Sequence, residues 1–364
     1  MRISLWISIL TAVVITAPAS TLGEVPSQVV PSHAVALIYH HVDTGTPAST
    51  SLSPELFGEH LDYLVSNGYR ALPLAALVDS LRNGGTVPDR TVAFTFDDGY
   101  RSVYTEAFPR LRELDWPFTV FICPDAVDHG RGPVLTWDQL REMADAGATV
   151  ANHGMFHHHL QRRGAGEADQ AWRDRIRGEL LAAQERISRE MGIAPALFAY
   201  PYGEFDEDLR EIIRDLGWAA FGQQSGPMGN ESDFTRLPRF PMAGPFAAME
   251  TFGDKVGSLP LPVMAASPAS PHIALAAGPE DRKPNLRLTL GAGDYRSGQV
   301  AAFASGQGAA ELTWVDREAG ILEVRARQAL PTGRSRYNIT APATDGRRYY
   351  WYSHTWIVGQ AHKD

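Results

Sequence analysis

The chain has 364 residues, 44% of them hydrophobic and 21% charged, with a net charge of −9. That is a globular composition, long enough for two domains, and its acidic balance speaks against a nucleic-acid binder. The single cysteine, Cys123, excludes an internal disulfide, a cysteine zinc finger and a CxxC redox pair, so any metal has to be held by histidines and carboxylates. Arg supplies 30 of the 33 basic residues, which reads as a coding bias and carries no function.

Residues 1–19 read as a secretory signal peptide: Met1-Arg2 is a short positive start, Leu5 to Ile15 is almost wholly apolar, and Ala17-Pro18-Ala19 is an A-x-A cleavage pattern. The apolar run is shorter than the ~20 residues an ordinary membrane span needs. The expectation is an exported protein, periplasmic or extracellular, with no stable span after cleavage.

From Val35 to about Phe221, strand-like and helix-like segments alternate. Val35–Tyr39 reads as a buried strand. Ser53-Pro54 opens a helix whose apolar face includes Phe57, Leu61 and Leu64 and which Gly68 ends. A second helix covers 74–82. Strands follow at 91–96 and 118–123. Thr136 and Gln139 form a capping box for a helix reaching Ala146. A strand at 148–151, a charged helix at 168–191, a strand at 196–200, a helix at 206–216 and a strand at 218–221 complete the series. Some seven such units predict a mostly parallel sheet, best accommodated as a closed or nearly closed β/α barrel with its chemistry at the strand ends. Four prolines within 259–271 mark a linker. Beyond it, strand-like runs at 287–290, 311–315, 321–326 and 347–358 predict a small all-β sandwich. The expected domains are therefore a barrel at 31–257, a Pro/Ala-rich linker at 258–280 and a β-sandwich at 281–364.

Three strand ends are unusually polar. Thr95-Phe96-Asp97-Asp98-Gly99 places two adjacent carboxylates after an apolar run, costly to bury without a cation and otherwise an acidic turn in solvent. In Asn152-His153-Gly154-Met155-Phe156-His157-His158-His159-Leu160, His153 and His157 stand four apart, which would set two imidazoles on one side of a helical turn. Phe198-Ala199-Tyr200-Pro201-Tyr202-Gly203 reads as a rigid loop able to offer a backbone N–H to a substrate oxygen. A barrel would bring all three to one rim. Asp98, His153 and His157 then supply one carboxylate and two imidazoles, a set suited to a divalent metal of the zinc type. Asp97 is left over as a base.

These motifs resemble those of the polysaccharide deacetylases, the carbohydrate esterase family 4 enzymes with a NodB homology domain. The likeness covers about residues 31–255. Leu37-Ile38-Tyr39-His40-His41-Val42 and FAYPYG make it most similar, within the family, to exported deacetylases of poly-β-1,6-N-acetylglucosamine. The resemblance implies a distorted (β/α)7 barrel, agreeing with the strand count. It implies Asp97 as general base, Asp98, His153 and His157 as ligands of a divalent metal, zinc by donor type, and Tyr202 as backbone donor to the oxyanion. His158 stays open as a substitute for His157, since a five-residue spacing also occurs. Many members carry an Arg at the position of Ala199 to tether the base, and a general-acid His in a late motif. Here Leu237-Pro238-Arg239-Phe240-Pro241 holds no His, so the acid is unassigned, with His40 proposed for the role and His41 beside it.

The expected function is release of acetate from N-acetyl groups of an N-acetylglucosamine polymer. O-acetyl esterase action on another glycan, or a metal-containing glycan-binding protein without turnover, are the alternatives. The expected partner is an acetylated amino-sugar polysaccharide; neither nucleic acid nor a protein partner is expected. For the aromatic run Tyr349-Tyr350-Trp351-Tyr352, core packing is preferred over sugar stacking.

Overall fold

The computed structural model describes residues 32–359. The signal-peptide expectation at 1–19 lies outside them. Six parallel strands form the backbone of the first layer: β1 (His33–Tyr39), β2 (Thr91–Phe96), β3 (Phe118–Ile122), β4 (Thr149–Asn152), β5 (Leu197–Ala199) and β6 (Ala219–Phe221), hydrogen-bonded in that order. A short strand β7 (Phe240–Pro241) pairs in parallel with β1. Just before it, Leu237 bridges to Phe221 of β6, with its N–H on the Ala220 carbonyl at 2.7 Å. One segment thus touches both edges of the sheet, which is mixed α/β and curled.

The helices form where local chemistry says they should. α1 (Pro54–Ser66) starts on Ser53, whose Oγ accepts from the Leu56 N–H. The helix Trp137–Asp145 has both bonds of the Thr136–Gln139 capping box, which satisfies two otherwise orphan donors. The long charged helix Asp169–Met191 turns Trp172, Ile176, Leu180 and Ile187 inward and ends at Gly192 in the left-handed region. Their inward rows bury the aliphatic and aromatic residues of the strands.

The stretch 258–280, expected as a linker, is instead built into strands: Leu259–Pro260, Val263–Ser267 and His272–Ala274. Pro260, Pro262, Pro268 and Pro271 sit at or beside strand ends, where the missing N–H costs no ladder bond. Val263–Ser267 joins Asn285–Leu290, Ile321–Arg325 and Glu311–Asp316 in one sheet. Leu259–Pro260 and His272–Ala274 join the long hairpin Gly333–Pro342 and Tyr349–Gly359 in the other, together with Ala301–Ala304 and Gly308–Ala309. Leu286, Leu288, Leu322, Val324, Tyr337, Ile339 and Trp356 fill a shared core. The aromatic run divides along the hairpin: Tyr350 belongs to that core, and Trp351 meets Phe240 of β7 edge-on at 5.2 Å.

His60 on α1 is fully buried. Its Nε2–H donates to the Ala247 carbonyl at 2.7 Å, its Nδ1 accepts from the Tyr39 hydroxyl at 3.2 Å, and the ring stacks on Phe252 at 4.0 Å. Burial pushes its pKa down to about 4, below the ~6.5 of an unfolded chain. Between those values the unfolded chain binds more protons, so stability falls as pH drops from about 6.5 to 4, by up to about 3 kcal/mol for this one group. Urea midpoints measured across that window should fall less steeply for His60→Gln than for the parent chain; equal slopes would remove His60 as a cause.

Candidate active site

Because β1 to β6 run parallel, their C-terminal ends share one rim. The register sets the level: Tyr39 pairs with Phe96, Ile122 with Asn152, and Asn152 with Phe198. The residues just beyond, His40, Asp97, Asp98 and His153, therefore gather at one end, with Tyr202 in the turn after β5.

Asp98 follows Asp97 with φ 69, and Gly99 continues at φ 65. A Cβ at 99 would lie 2.9 Å from the Ile122 side chain, so this tight turn takes glycine for space as well as for φ. The turn separates the two carboxylates. Asp98 Oδ1 lies 3.2 Å from His153 Nε2 and 3.1 Å from His157 Nε2. One ligand atom from each of these three residues falls within 4.8 Å of the other two. His153 is buried, and its Nδ1–H donates to the Ala199 carbonyl at 2.8 Å, which leaves the Nε2 lone pair facing Asp98. Asp98 Oδ1 and His153 Nε2 are both buried without a hydrogen-bond partner. A buried acceptor opposite a buried lone pair is costly unless a cation lies between them, and the donor set suits a divalent metal. Burial raises the Asp98 pKa, but the nearby imidazoles of His153 and His157 hold it well below the ordinary carboxylate value.

The two histidines do not share a helical turn, contrary to the expectation from their spacing. Residues 153–159 are an irregular loop. It bends at Gly154 (φ 79) and His157 (φ 55), and Asn152 Oδ1 accepts from the Gly154 N–H at 2.8 Å. Asn152 supplies the local bond that a helix would have supplied. His158 is turned aside and stacks on Phe156 at 5.3 Å. His159 Nδ1 lies 2.6 Å from Glu204 Oε2, and its ring stacks on Tyr202 at 4.0 Å. The Cys123 thiol donates to the His153 carbonyl at 3.1 Å, and burial pushes its pKa well up, a packed thiol rather than a nucleophile.

Asp97 has no exposed surface, and neither does Arg239. Arg239 Nη1 lies 2.7 Å from Asp97 Oδ1 and Nη2 lies 2.8 Å from Oδ2, a bidentate fork. Its Nε donates to the Gly222 carbonyl and Nη1 also to Thr95 Oγ1, while the guanidinium lies over Phe121 and Phe221. Burial alone would raise the Asp97 pKa; Arg239 and then His153 reverse this and leave it below the ordinary value. Asp97 is therefore an ionised carboxylate at neutral pH. The expectation that no arginine tethers this residue is overturned: Ala199 cannot, but Arg239 reaches it from the segment that joins the sheet's two edges. A guanidinium inside the apolar run Leu237-Pro238-Arg239-Phe240 was the signal available, since such a charge needs a buried partner.

Tyr202 sits in the turn after β5 with φ 59 and ψ 2. Its ring meets His157 edge-on at 4.4 Å. His40 is partly buried at the end of β1. Burial lowers its pKa, against the opposing pull of Asp97 and Asp98, so the ring is neutral at rest. His41 is turned elsewhere and stacks on Tyr100 at 3.5 Å.

Removing Arg239 would strand a buried carboxylate. Arg239→Ala is expected to cost about 3–5 kcal/mol in urea unfolding. Arg239→Lys keeps the charge without the fork and should cost less. A loss below about 1 kcal/mol for the alanine variant would show that Asp97 does not depend on this partner.

Residues 84–221 match the family model described as polysaccharide deacetylase. The chain is 27% identical over 246 residues to the poly-β-1,6-N-acetyl-D-glucosamine N-deacetylase of Escherichia coli (strain K12), covering 56% of this chain and 36% of that protein. With the protein of the same name from Staphylococcus aureus (strain MRSA252) it shares 24% over 171 residues, covering 46% and 59%. The chain thus spans between about a third and three-fifths of these curated relatives. Among solved structures, IcaB from Ammonifex degensii superposes with a TM-score of 0.52 at 24% identity, covering 62% of this chain and 96% of that one. The de-N-acetylase from Aggregatibacter actinomycetemcomitans gives 0.53 at 21%, covering 60% and 99%. At these identities the structural likeness speaks for the fold. The polar strand ends that gather at one rim of that fold, Asp97-Asp98, His153 with His157, and Tyr202, all fall inside residues 84–221, the stretch that matches the polysaccharide deacetylase model.

Proposed function

We propose that this protein is an exported, metal-dependent de-N-acetylase of an N-acetylglucosamine polymer, of the poly-β-1,6 type. The observation that carries the reading is the pairing of two differently treated carboxylates: Asp98 among imidazoles with unpartnered buried atoms, and Asp97 buried but ionised against Arg239. The linkage rests on the names of the sequence relatives. Export rests on the leader-like pattern of residues 1–19; among the described residues no helix is long and apolar enough to cross a membrane. The curled sheet is read as a distorted (β/α)7 barrel over 31–257 with β7 and the residues before it as the seventh strand. The β layers are read as a second, sandwich-like domain that begins near Leu259 rather than at 281.

Asp98, His153 and His157 would hold the metal, zinc on the basis of one carboxylate and two imidazoles with positions left open. When bound, it would act as a Lewis acid toward the acetamide carbonyl and the attacking water. Asp97 is the base: Arg239 takes one lone pair of each oxygen and leaves others free to accept the water proton. The Tyr202 N–H is the backbone donor toward the oxyanion, and losing one such donor typically costs roughly 100–1000-fold in rate. His40, neutral at rest, would collect the proton that Asp97 removes and hand it to the departing amine. The products balance as one acetate and one free amine per water consumed. The lack of an arginine at position 199, with the acid unassigned, kept a binding protein without turnover among the alternatives; the fork of Arg239 on Asp97 speaks against it.

Acetate release from poly-β-1,6-N-acetylglucosamine and from chitin oligomers tests the reading. Release is expected from the β-1,6 polymer, abolished by chelator, restored by Zn2+ and lost in Asp97→Asn. Release only from an O-acetylated glycan would replace the substrate class, and no release from any of these by the metal-loaded chain would refute the enzyme. His40→Ala should lower turnover at least tenfold with the metal content of the chain unchanged; unaltered turnover would remove His40 as the acid.

A further inference from the structure

Tyr202 holds a backbone conformation that a non-glycine residue adopts at a cost. Gly203 follows it at φ 64. Two bonds within the turn close it, Gly203 N–H to the Tyr200 carbonyl at 2.8 Å and Glu204 N–H to the Pro201 carbonyl at 3.2 Å. Beyond these, the Tyr202 carbonyl accepts from Nη1 of Arg334. Arg334 belongs to the C-terminal strand Gly333–Pro342, 132 residues further along the chain.

Arg334 is an exposed residue whose guanidinium reaches the turn. A Cβ on Gly203 would run into Arg334 Nη1 and fall 2.8 Å from the Gln223 side chain, so the glycine leaves room for the arginine. The bond to the Tyr202 carbonyl brings Arg334 to the rim where the turn after β5 lies. Arg336, two residues on and hence on the same strand face, donates to the Gln223 carbonyl at 3.0 Å and lies over Phe246 at 5.4 Å. The two arginines divide the labour. Arg336 fastens the β layer to the loop after β6 and to Phe246 beyond β7, whereas Arg334 reaches the turn that carries Tyr202.

We propose that Arg334 is a positioning residue for Tyr202, through which the C-terminal β layer completes the active site. The proposal rests on the deacetylase reading above, in which the Tyr202 N–H meets the oxyanion. With the carbonyl of Tyr202 pinned from outside, its N–H is aimed before substrate arrives, and a misplacement of about 1 Å in such a group can cost on the order of 100-fold. The β layer is then a part of the catalytic machinery as well as a neighbouring fold.

The test uses the full chain with Arg334→Ala, Arg334→Lys and Arg336→Ala. Three quantities are read: hydrogen exchange of the peptide spanning 200–205, kcat and KM for acetate release, and bound zinc. Arg334→Ala should speed exchange in the turn and lower kcat roughly 10- to 100-fold, with KM and zinc unchanged. Arg334→Lys, which keeps one donor, should recover much of both. Unchanged exchange in Arg334→Ala overturns the proposal even if kcat falls, because the arginine would then be acting on substrate. Equal effects from Arg336→Ala also overturn it, since general loosening of the layer would suffice. If the parent chain releases no acetate, the deacetylase reading fails by itself, and faster exchange rescued by lysine still decides whether Arg334 sets the turn.

Discussion

A carboxylate with no exposed surface stays charged only when something equally buried answers it. In this protein Arg239 answers Asp97 with both arms of its guanidinium, and much of the architecture serves that pair. The arginine lies between Leu237, bonded to one edge of the curled sheet, and Phe240, bonded to the other. The same segment that joins the edges thus delivers the counter-charge to the centre. Phe121 and Phe221 cover the guanidinium and exclude the water that would otherwise screen the pair. The joining of the sheet's edges and the protonation state of Asp97 are one constraint.

The neighbouring carboxylate is treated in the opposite way. A left-handed turn at Asp98 and Gly99 swings it away from Arg239 and toward two imidazoles. Adjacent residues of the same chemistry are thus treated differently, one ionised and tethered to an arginine, one turned toward two imidazoles. The His153 ring is fixed from behind by the Ala199 carbonyl, the kind of outer bond that orients a metal-binding imidazole. Local turns, each short and each defined by one or two left-handed residues, do the aiming; the parallel strands only bring those turns to the same level.

Much of this was legible one residue at a time. The apolar runs, Ser53 and the Thr136–Gln139 box placed strands and helices to within a residue or two, because capping and burial are local. The polar clusters at three strand ends were visible for the same reason: such residues are out of place after a buried strand. Other features resisted. The strand Gly333–Pro342 alternates Ser335, Tyr337, Ile339 and Ala341 with polar neighbours, a two-residue period obscured by its Gly-Arg-Ser-Arg start. The prolines of 258–280 suggested a linker, yet edge pairing tolerates them. The i,i+4 spacing of His153 and His157 suggested a helix, yet Asn152 and Gly154 bend the loop instead.

By itself, the sequence determined the parallel α/β layer, the candidate carboxylates and imidazoles, and the family they resemble, since each depends on residue type and short spacing. Only the tertiary structure decided which charge meets which. Asp97 and Arg239 are 142 residues apart, and Tyr202 and Arg334 are 132 apart. No local rule couples positions so distant; they meet because the sheet curls and the C-terminal hairpin packs across its rim.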